Sequence, residues 1–270
     1  MKDVAAARVG QFKPLDKGMA LLRLLRDLKP EGVEKSFKMA ERSLLADRYL
    51  IGIHKADISP AALFSICGRM GMPEKYLSAF KENAQQANAI HFGFEGNESG
   101  GIYKVYLEFA ARLEGSSPTV LLHVAYKWDV IDSGIGTVAR YECLPRLSTA
   151  AILQRLGDLY STRPDRVAFD AVREIIGLAA DRMREPPMYL EVREEGNPRA
   201  SFDVNFHDAG IRVHEIGSQL ARLREHYSIP ADRFEPLYSR INEAALGHLS
   251  GGVNREGKDF LTVYYPDGRP

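Results

Sequence analysis

The sequence predicts an α/β (α+β) repeat barrel of ten antiparallel strands in repeated helix–helix–strand–strand units, with the helices outside. Five hairpin patterns recur along the 270 residues, and helical patterns precede most of them. Two of the helical pairs also resemble each other in sequence, which indicates a repeat. We therefore predict one domain built from copies of a single supersecondary unit.

Composition narrows the class of protein. The chain is 45% hydrophobic and 27% charged, as in ordinary globular proteins. Its formal net charge is zero, so no basic field indicates a nucleic-acid or membrane partner. The N-terminal stretch lacks the apolar core of a signal peptide, and Cys67 and Cys143 are too few for a disulfide framework. We expect a soluble, cytoplasmic protein that binds neither nucleic acid nor membrane.

Ten strands are expected from alternating polar and apolar residues around turns rich in Gly, Asn, Asp and Ser. In "IYKVYLEF", for example, Lys104, Tyr106 and Glu108 share one face of the strand and apolar residues share the other. The first hairpin pairs residues 34–41 with 47–54. The other four lie within residues 89–109, 119–143, 188–207 and 247–265.

Seven helices are expected from 3.6-residue periodicity and capping residues. A single helix at about residues 15–28 precedes the first hairpin. Ser59 is a typical N-cap with Pro60 at the first helical position, and Met72-Pro73 divides the pair that follows. The three predicted pairs span residues 60–71 and 73–87, 148–160 and 165–183, and 212–227 and 230–245.

The helical pairs show the repeat most directly. "LQRLGDLYSTRPDR" at 153–166 aligns with "LARLREHYSIPADR" at 220–233, and "FSICGRMGMPEKY" at 64–76 is a looser third copy. The alternative is chance similarity between amphipathic helices. We divide the single domain 1–270 into units at about 1–57, 58–114, 115–146, 147–210 and 211–270. The third unit is a hairpin without helices.

Strand parity suggests how the sheet is covered. Ser201, Asp203 and Asn205 alternate with apolar residues, whose face the amphipathic helices can cover. If the sheet closes, its edges vanish and the polar face becomes the interior. Ten strands enclose more space than side chains fill, so a closed barrel would hold a ligand-sized cavity. The alternative is an open sheet whose polar face meets water.

In this architecture the chain resembles the soluble aromatic prenyltransferases of the ABBA, or PT-barrel, family. Part of that family carries a Lys-x-Tyr pair on one strand, which matches Lys104-x-Tyr106 in "YKVYLEF". The last strand offers Thr262-x-Tyr264 at the equivalent positions. Two features depart from the family pattern: Asp203 and Asn205 on the fourth hairpin, and the missing helix pair before the third.

The resemblance implies an aromatic prenyltransferase. It would transfer an allylic prenyl group from a diphosphate donor to a small aromatic or tryptophan- or tyrosine-like acceptor inside the barrel. No cofactor would be required, with assistance by Mg²⁺ left open. Cations and hydroxyls on predicted inward positions would bind the diphosphate: Lys104, Tyr106, Lys127, Arg140, Tyr189, Arg193 and Tyr264. Glu95 and Glu108 are the candidate catalytic carboxylates. Solvated strand faces show the same alternation, so each residue also has a structural explanation.

The histidines support a second hypothesis. His91 and His248 begin strands, whereas His54 and His207 end strands, so a closed barrel could gather all four at one mouth. Histidines with carboxylates suit Fe, Cu or Zn, which would make the protein a metal-dependent oxygenase or lyase. No HxH, HxxxH or HExxH spacing supports this. A third hypothesis is a non-catalytic barrel that binds an apolar or peptide ligand.

Overall fold

The computed structural model describes residues 14–115 and 117–267. Its helices are α1 (Pro14–Leu25), α2 (Pro60–Arg69), α3 (Glu74–Gln86), α4 (Thr149–Leu159), α5 (Val167–Ala180), α6 (Gly217–His226) and α7 (Ala231–Ile241). Its strands are β1 (Gly32–Ala40), β2 (Ser43–Leu45), β3 (Arg48–His54), β4 (Ala89–Glu95), β5 (Ile102–Glu108), β6 (Val120–Asp129), β7 (Gly136–Cys143), β8 (Tyr189–Glu194), β9 (Ala200–Asn205), β10 (His248–Val253) and β11 (Asp259–Pro266).

The sheet is a closed antiparallel barrel, as the sequence predicts. Each barrel strand pairs with its sequence neighbour, and β11 pairs with β1 to complete the ring. The closing register runs from Glu34 opposite Pro266 to Ala40 opposite Phe260. The short strand β2 pairs only with β1 and adds nothing to the wall. The polar strand faces therefore surround a lumen, and the alternative of an open sheet is wrong.

The helices pack on the outside of the barrel and form two apolar clusters with its outer face. One cluster joins α4 to α7 with β1 and β9 to β11, and it contains Phe37, Phe202 and Leu261. The other joins α1 to α3 with β3 to β6, and it contains Phe92, Val105 and Trp128. Apolar burial outside the wall is what leaves the lumen free to be polar. None of the described helices is both long enough and apolar enough to cross a membrane.

The links within the helical pairs support the repeat. Met70, Tyr160 and Tyr227 each end the first helix of a pair, and each donates its backbone N–H to the carbonyl four residues earlier. After Met70 and Tyr227 the next residue has positive φ, 75° at Gly71 and 52° at Ser228. Proline then precedes the second helix in both of these copies. The first and last pairs thus share one link geometry.

The unit without a helical pair has the expected irregularity. Between β5 and β6 the chain makes only a 3₁₀ turn, Ala110–Glu114, where other units have two helices. β6 also carries a bulge between Leu121 and His123. The bulge lets both Leu122 and His123 line the lumen, although simple alternation would put them on opposite faces. The stretch predicted not to be a signal peptide spans residues 1–18, and its residues 1–13 lie outside those described.

Candidate functional site

The lumen contains two cavities, one toward each mouth of the barrel. A cavity of about 270 Å³ lies at the hairpin-turn mouth, and one of about 590 Å³ lies at the opposite mouth. Tyr141 and Tyr264 line both cavities and mark the boundary between them. Inward residues from many strands line each cavity, and the two linings differ in charge.

The smaller one, which we call the cationic cavity, is lined by six basic side chains: Lys38, Arg48, Lys104, Lys127, Arg199 and Arg255. Thr137, Ser250 and Thr262 add hydroxyls. Two carboxylates, Glu95 and Glu194, lie among these cations, whereas Asp129 ends β6 and Glu256 lies in a turn, both at the mouth. Basic groups and hydroxyls in a shielded pocket are suited to a polyanion such as a diphosphate.

The two inner carboxylates hold the cations in place. Glu95 pairs with both Arg48 and Lys104. Glu194, whose side chain is 1% exposed, pairs with Lys127 at 3.1 Å and with Arg199 and Arg255 at 2.8 Å. Burial raises the pKa of both carboxyls, but the adjacent cations outweigh it and hold both pKa values well below the usual range. Both groups are therefore ionised at neutral pH.

Two lysines of the cationic cavity have pKa values below the usual value for lysine. Burial lowers the pKa of Lys104 to about 7, although Glu95 opposes the shift. Burial also lowers the pKa of Lys38 to about 8. Desolvation and the neighbouring basic groups disfavour another positive charge in this space. An anionic ligand would relieve that repulsion.

The larger one, which we call the histidine cavity, has a different lining. Its ionisable inner residues are Glu34, His91, Glu108, His123, Asp203, His207 and His248. Leu50, Leu113, Leu122 and Leu190 supply apolar surface. None of its described lining residues is a lysine or an arginine. Apolar walls with a few polar groups are typical of sites for small organic ligands.

Histidines and carboxylates pair inside this cavity. His91 Nε2 lies 2.6 Å from Glu108 Oε2. His248 Nδ1 contacts Asp203 at 2.8 Å, and its Nε2 contacts Glu34 at 3.2 Å. Burial alone would lower the pKa of His248, but these two carboxylates hold it well above its usual value. His248 is therefore an imidazolium at neutral pH, with both nitrogens engaged.

One group in the histidine cavity could hold a metal ion. Ligand atoms of His91, Glu108 and His123 all lie within 4.8 Å of one another, a two-histidine, one-carboxylate set. This changes the predicted metal set. His207 and His248 do line the same cavity, but His54 is exposed and caps a 3₁₀ turn by accepting from the backbone N–H of Ala56. His54, the exposed last residue of β3, therefore does not belong to the cluster.

Three tyrosines lie at the boundary of the two cavities. The hydroxyls of Tyr106 and Tyr141 are 3.5 Å apart. The ring of Tyr264 stacks on His248, with centroids 3.8 Å apart and planes at 11°. Burial raises the pKa of Tyr106 and of Tyr264 far above the usual value, so both remain neutral donors. Aromatic faces at such a boundary can shield a carbocation.

Six of the predicted site residues line the lumen. Lys104, Lys127 and Glu95 lie in the cationic cavity, Tyr106 and Glu108 lie in the histidine cavity, and Tyr264 borders both. Glu95 is tied into ion pairs with two cations, so it is poorly suited to accept a proton. Glu108 faces the other cavity beside His91.

Three predicted site residues lie on the outer face of the barrel. The side chains of Arg140 and Arg193 are 51% and 74% exposed and pair with Glu195 and Glu191. Tyr189 is buried in the outer apolar cluster beneath the helices. The inward assignment of these residues is therefore wrong. Around Arg140 and Arg193 the outer face meets solvent, so a polar residue there does not indicate the lumen.

Several lining residues were not predicted from the sequence. They are Lys38, Arg48, Tyr141, Glu194, Arg199 and Arg255 in the cationic cavity, and Glu34 and His123 in the histidine cavity. Glu34 and Lys38 lie two residues before and after Ser36 on β1, so alternation along this strand could have placed both on the same face as Ser36. Arg199 and Arg255 lie in hairpin turns, where alternation carries no information.

No protein-family model and no curated protein matches the chain. Solved structures do match. A 6-dimethylallyltryptophan synthase from Micromonospora olivasterospora, in complex with DMASPP and Trp, has a TM-score of 0.59 at 15% identity, covering 94% of this chain and 96% of that chain.

Two further solved structures match with similar TM-scores. A 5-dimethylallyl tryptophan synthase from Streptomyces coelicolor, in complex with DMASPP and Trp, has a TM-score of 0.63 at 13% identity, covering 98% of this chain and 92% of that chain. Prenyltransferase PriB, in a ternary complex with L-tryptophan and dimethylallyl thiolodiphosphate, has a TM-score of 0.62 at 15% identity, covering 87% of this chain and 79% of that chain. The closed ten-strand barrel with helices outside is therefore the PT barrel, the fold of the ABBA-type aromatic prenyltransferases.

Proposed function

We propose that this protein is an aromatic prenyltransferase that uses an allylic diphosphate as donor. The observation that carries the proposal is the cationic cavity, where six basic side chains surround two carboxylates inside a closed barrel. A diphosphate would complete the charge balance of this space. The solved structures with the same fold include complexes with DMASPP and Trp, which supports the donor class.

The proposed reaction begins with ionisation of the donor. The bond between the allylic carbon and the bridging oxygen breaks, and its electron pair leaves with the diphosphate. Lys104, Lys127 and Arg199 would stabilise that charge, since preorganised donors act most strongly where negative charge develops. The boundary tyrosines would face the allylic cation and keep water from it.

The acceptor would occupy the histidine cavity, next to the boundary. A ring carbon of the acceptor would form the new bond to the allylic carbon, and the resulting cation would lose a proton. Glu108 is the carboxylate suited to receive this proton or to orient an acceptor N–H or O–H group. Its hydrogen bond with His91 lowers the pKa of Glu108, so it is ionised before the reaction. The arenium ion is a strong acid, so a weak base suffices.

The direct test is product formation. The purified protein is incubated with dimethylallyl or geranyl diphosphate and a panel of indoles and phenols, and products are identified by mass spectrometry. We expect prenylated product to form only when both substrates are present. Lys127→Met should reduce the rate of product formation at least about tenfold. Glu225→Gln, an exposed substitution on α6, is the matched control. Absence of product and of any stabilisation by diphosphates would contradict the proposal.

A metal-dependent enzyme is the second candidate because His91, Glu108 and His123 form a possible ligand set. Elemental analysis of the purified protein separates the two candidates. Stoichiometric iron, copper or zinc, together with no response to diphosphates, would favour the metal enzyme. Prenyl transfer that is unchanged by a chelator would favour the transferase.

A further inference from the structure

The two ends of the lumen carry charge of opposite sign. Six basic side chains line the cationic cavity, whereas the histidine cavity has three inner carboxylates, Glu34, Glu108 and Asp203, and no lysine or arginine among its described lining residues. Two further carboxylates, Glu31 and Asp267, lie at its rim, and Asp267 pairs with Lys35 at 2.9 Å. A ligand that spans the lumen should match this polarity.

Two imidazoles of the histidine cavity, His91 and His248, already contact carboxylates of the wall. Both nitrogens of His248 contact Asp203 and Glu34, and His91 Nε2 contacts Glu108. Each committed imidazole therefore offsets carboxylates already present in the wall. An added carboxylate would meet uncompensated negative charge.

One carboxylate oxygen in this cavity lacks a donor. Glu34 Oε1 is buried and has no hydrogen-bond partner among the described residues, while Oε2 contacts His248. The nearest ion-pair contact of Oε1 is His207 Nε2 at 3.6 Å, beyond hydrogen-bonding distance. A buried acceptor without a donor is unfavourable, so a ligand N–H group that donates to Glu34 Oε1 would be favoured.

We infer that the histidine cavity selects an aromatic acceptor that carries a protonated amine and no carboxylate, an arylalkylamine. The inference rests on the proposed transferase function and adds the charge class of its acceptor. The ammonium would lie at Glu34 Oε1, and the ring would lie on the leucines toward the boundary tyrosines. This differs from tryptophan, a ligand in all three matched structures described above, which carries a carboxylate as well.

A matched ligand series tests the inference by affinity alone. The indole series is tryptamine, 3-ethylindole, L-tryptophan and indole-3-propionate, and the phenol series is tyramine, 4-ethylphenol, L-tyrosine and 3-(4-hydroxyphenyl)propionate. Dissociation constants are measured by calorimetry on protein saturated with inorganic diphosphate. In at least one series we expect the amine to bind about tenfold or more tightly than the neutral analogue, and the anion to bind weakest.

Variants identify the group responsible. Glu34→Gln should remove about tenfold of the amine's affinity and leave that of the neutral analogue unchanged. Should Glu34→Gln fail to fold, Asp203→Asn on β9 removes the other carboxylate that contacts His248 and tests the same negative charge. Glu174→Gln, which alters an exposed ion pair with Arg222 on the outer helices, is the control and should change neither affinity.

The outcomes separate the two proposals. Equal affinity within both series, tighter binding of the anion, or no binding by any member overturns the inference. If prenyl transfer from dimethylallyl diphosphate is detected but favours the anionic acceptors, the charge class is wrong and the transferase stands. If the amines bind tightest and no prenyl transfer occurs with any member, charge selection stands and the proposed function fails.

Discussion

The two cavities of the lumen are formed by the same ten strands, but their lining side chains carry net charges of opposite sign. In the cationic cavity, Glu95 and Glu194 each pair with at least two basic side chains, and the net charge of the lining remains positive. In the histidine cavity, His248 lies between two carboxylates, and the net charge of this group of three side chains remains negative. The difference shows that a single barrel wall can line two cavities of opposite charge, because position along each strand selects the cavity.

The largest effect is expected from removing the carboxylate that organises the cationic cavity. Glu194→Gln removes the counter-ion of the buried Lys127 and of the partly buried Arg199, and we expect a loss of about 3–5 kcal/mol in the free energy of unfolding. Denaturant unfolding measures this loss. Inorganic diphosphate should stabilise the variant more than the wild type, since it supplies the missing negative charge.

The adjacent residue is the control for that substitution. Glu195 is about half exposed and pairs with the outer residue Arg140. Glu195→Gln should change the free energy of unfolding by no more than about 0.5 kcal/mol. Similar losses in the two variants would mean that the lumen does not depend on the Glu194 pairs.

The next largest effect concerns donor binding, where an inward and an outward cation can be compared. Lys104→Met should weaken binding of a prenyl diphosphate by about 30-fold or more, roughly 2 kcal/mol, because a buried charge contact is lost. Arg193→Met should leave it unchanged, since that side chain is 74% exposed on the outer face. Calorimetric titration with geranyl diphosphate measures both, and an equal loss in both variants would contradict the division into inner and outer faces.

A smaller effect is expected at the histidine cavity. The folded-state pKa of His248 lies well above the value of about 6.5 expected for the unfolded chain. The stabilisation is therefore fully present below pH 6.5 and is lost as pH rises through the folded-state pKa. Asp203→Asn should lower the free energy of unfolding by about 1–2 kcal/mol at pH 6, and by less at pH 9.

Unfolding curves at the two pH values test this, with Asp208→Asn as control because Asp208 is exposed beside the same strand end. A loss at Asp203 that stays constant from pH 6 to pH 9 would show that the ion pair with His248 is not its source.

The smallest effect is a pH dependence of diphosphate affinity. Burial lowers the pKa of Lys104 to about 7 and that of Lys38 to about 8, so each loses its proton above that pH in the free protein. A bound anion raises both pKa values again, so binding takes up protons and weakens as pH rises from 7 to 9, with each lysine contributing less than about tenfold per pH unit.

Calorimetry in two buffers of different ionisation enthalpy measures this proton uptake. Lys104→Met should reduce the uptake at pH 7.5, whereas Arg193→Met should retain it. Uptake that is equal in both variants would assign the protons to other groups.

Much of the fold could be predicted because period and capping are local. The strand face of Lys104, Tyr106 and Glu108 follows from alternation, and Ser59 begins α2 by accepting the N–H of Ala62, as predicted. Parity failed at Arg140 and Arg193, since polar residues are favourable wherever the outer face meets solvent. Alternation alone does not distinguish a polar lumen from a polar exterior.

The sequence by itself determined the strands, the helices, the repeat and the polar face of most strands, because a side-chain period depends only on neighbours along the chain. The tertiary structure alone decided which polar residues meet. Closure through β1 and β11 brings Glu34 to His248, 214 residues away along the chain, and the turns bring Arg199 and Arg255 to Glu194. Strand register fixes the height of each residue along the barrel axis, and only that height separates the cationic cavity from the histidine cavity.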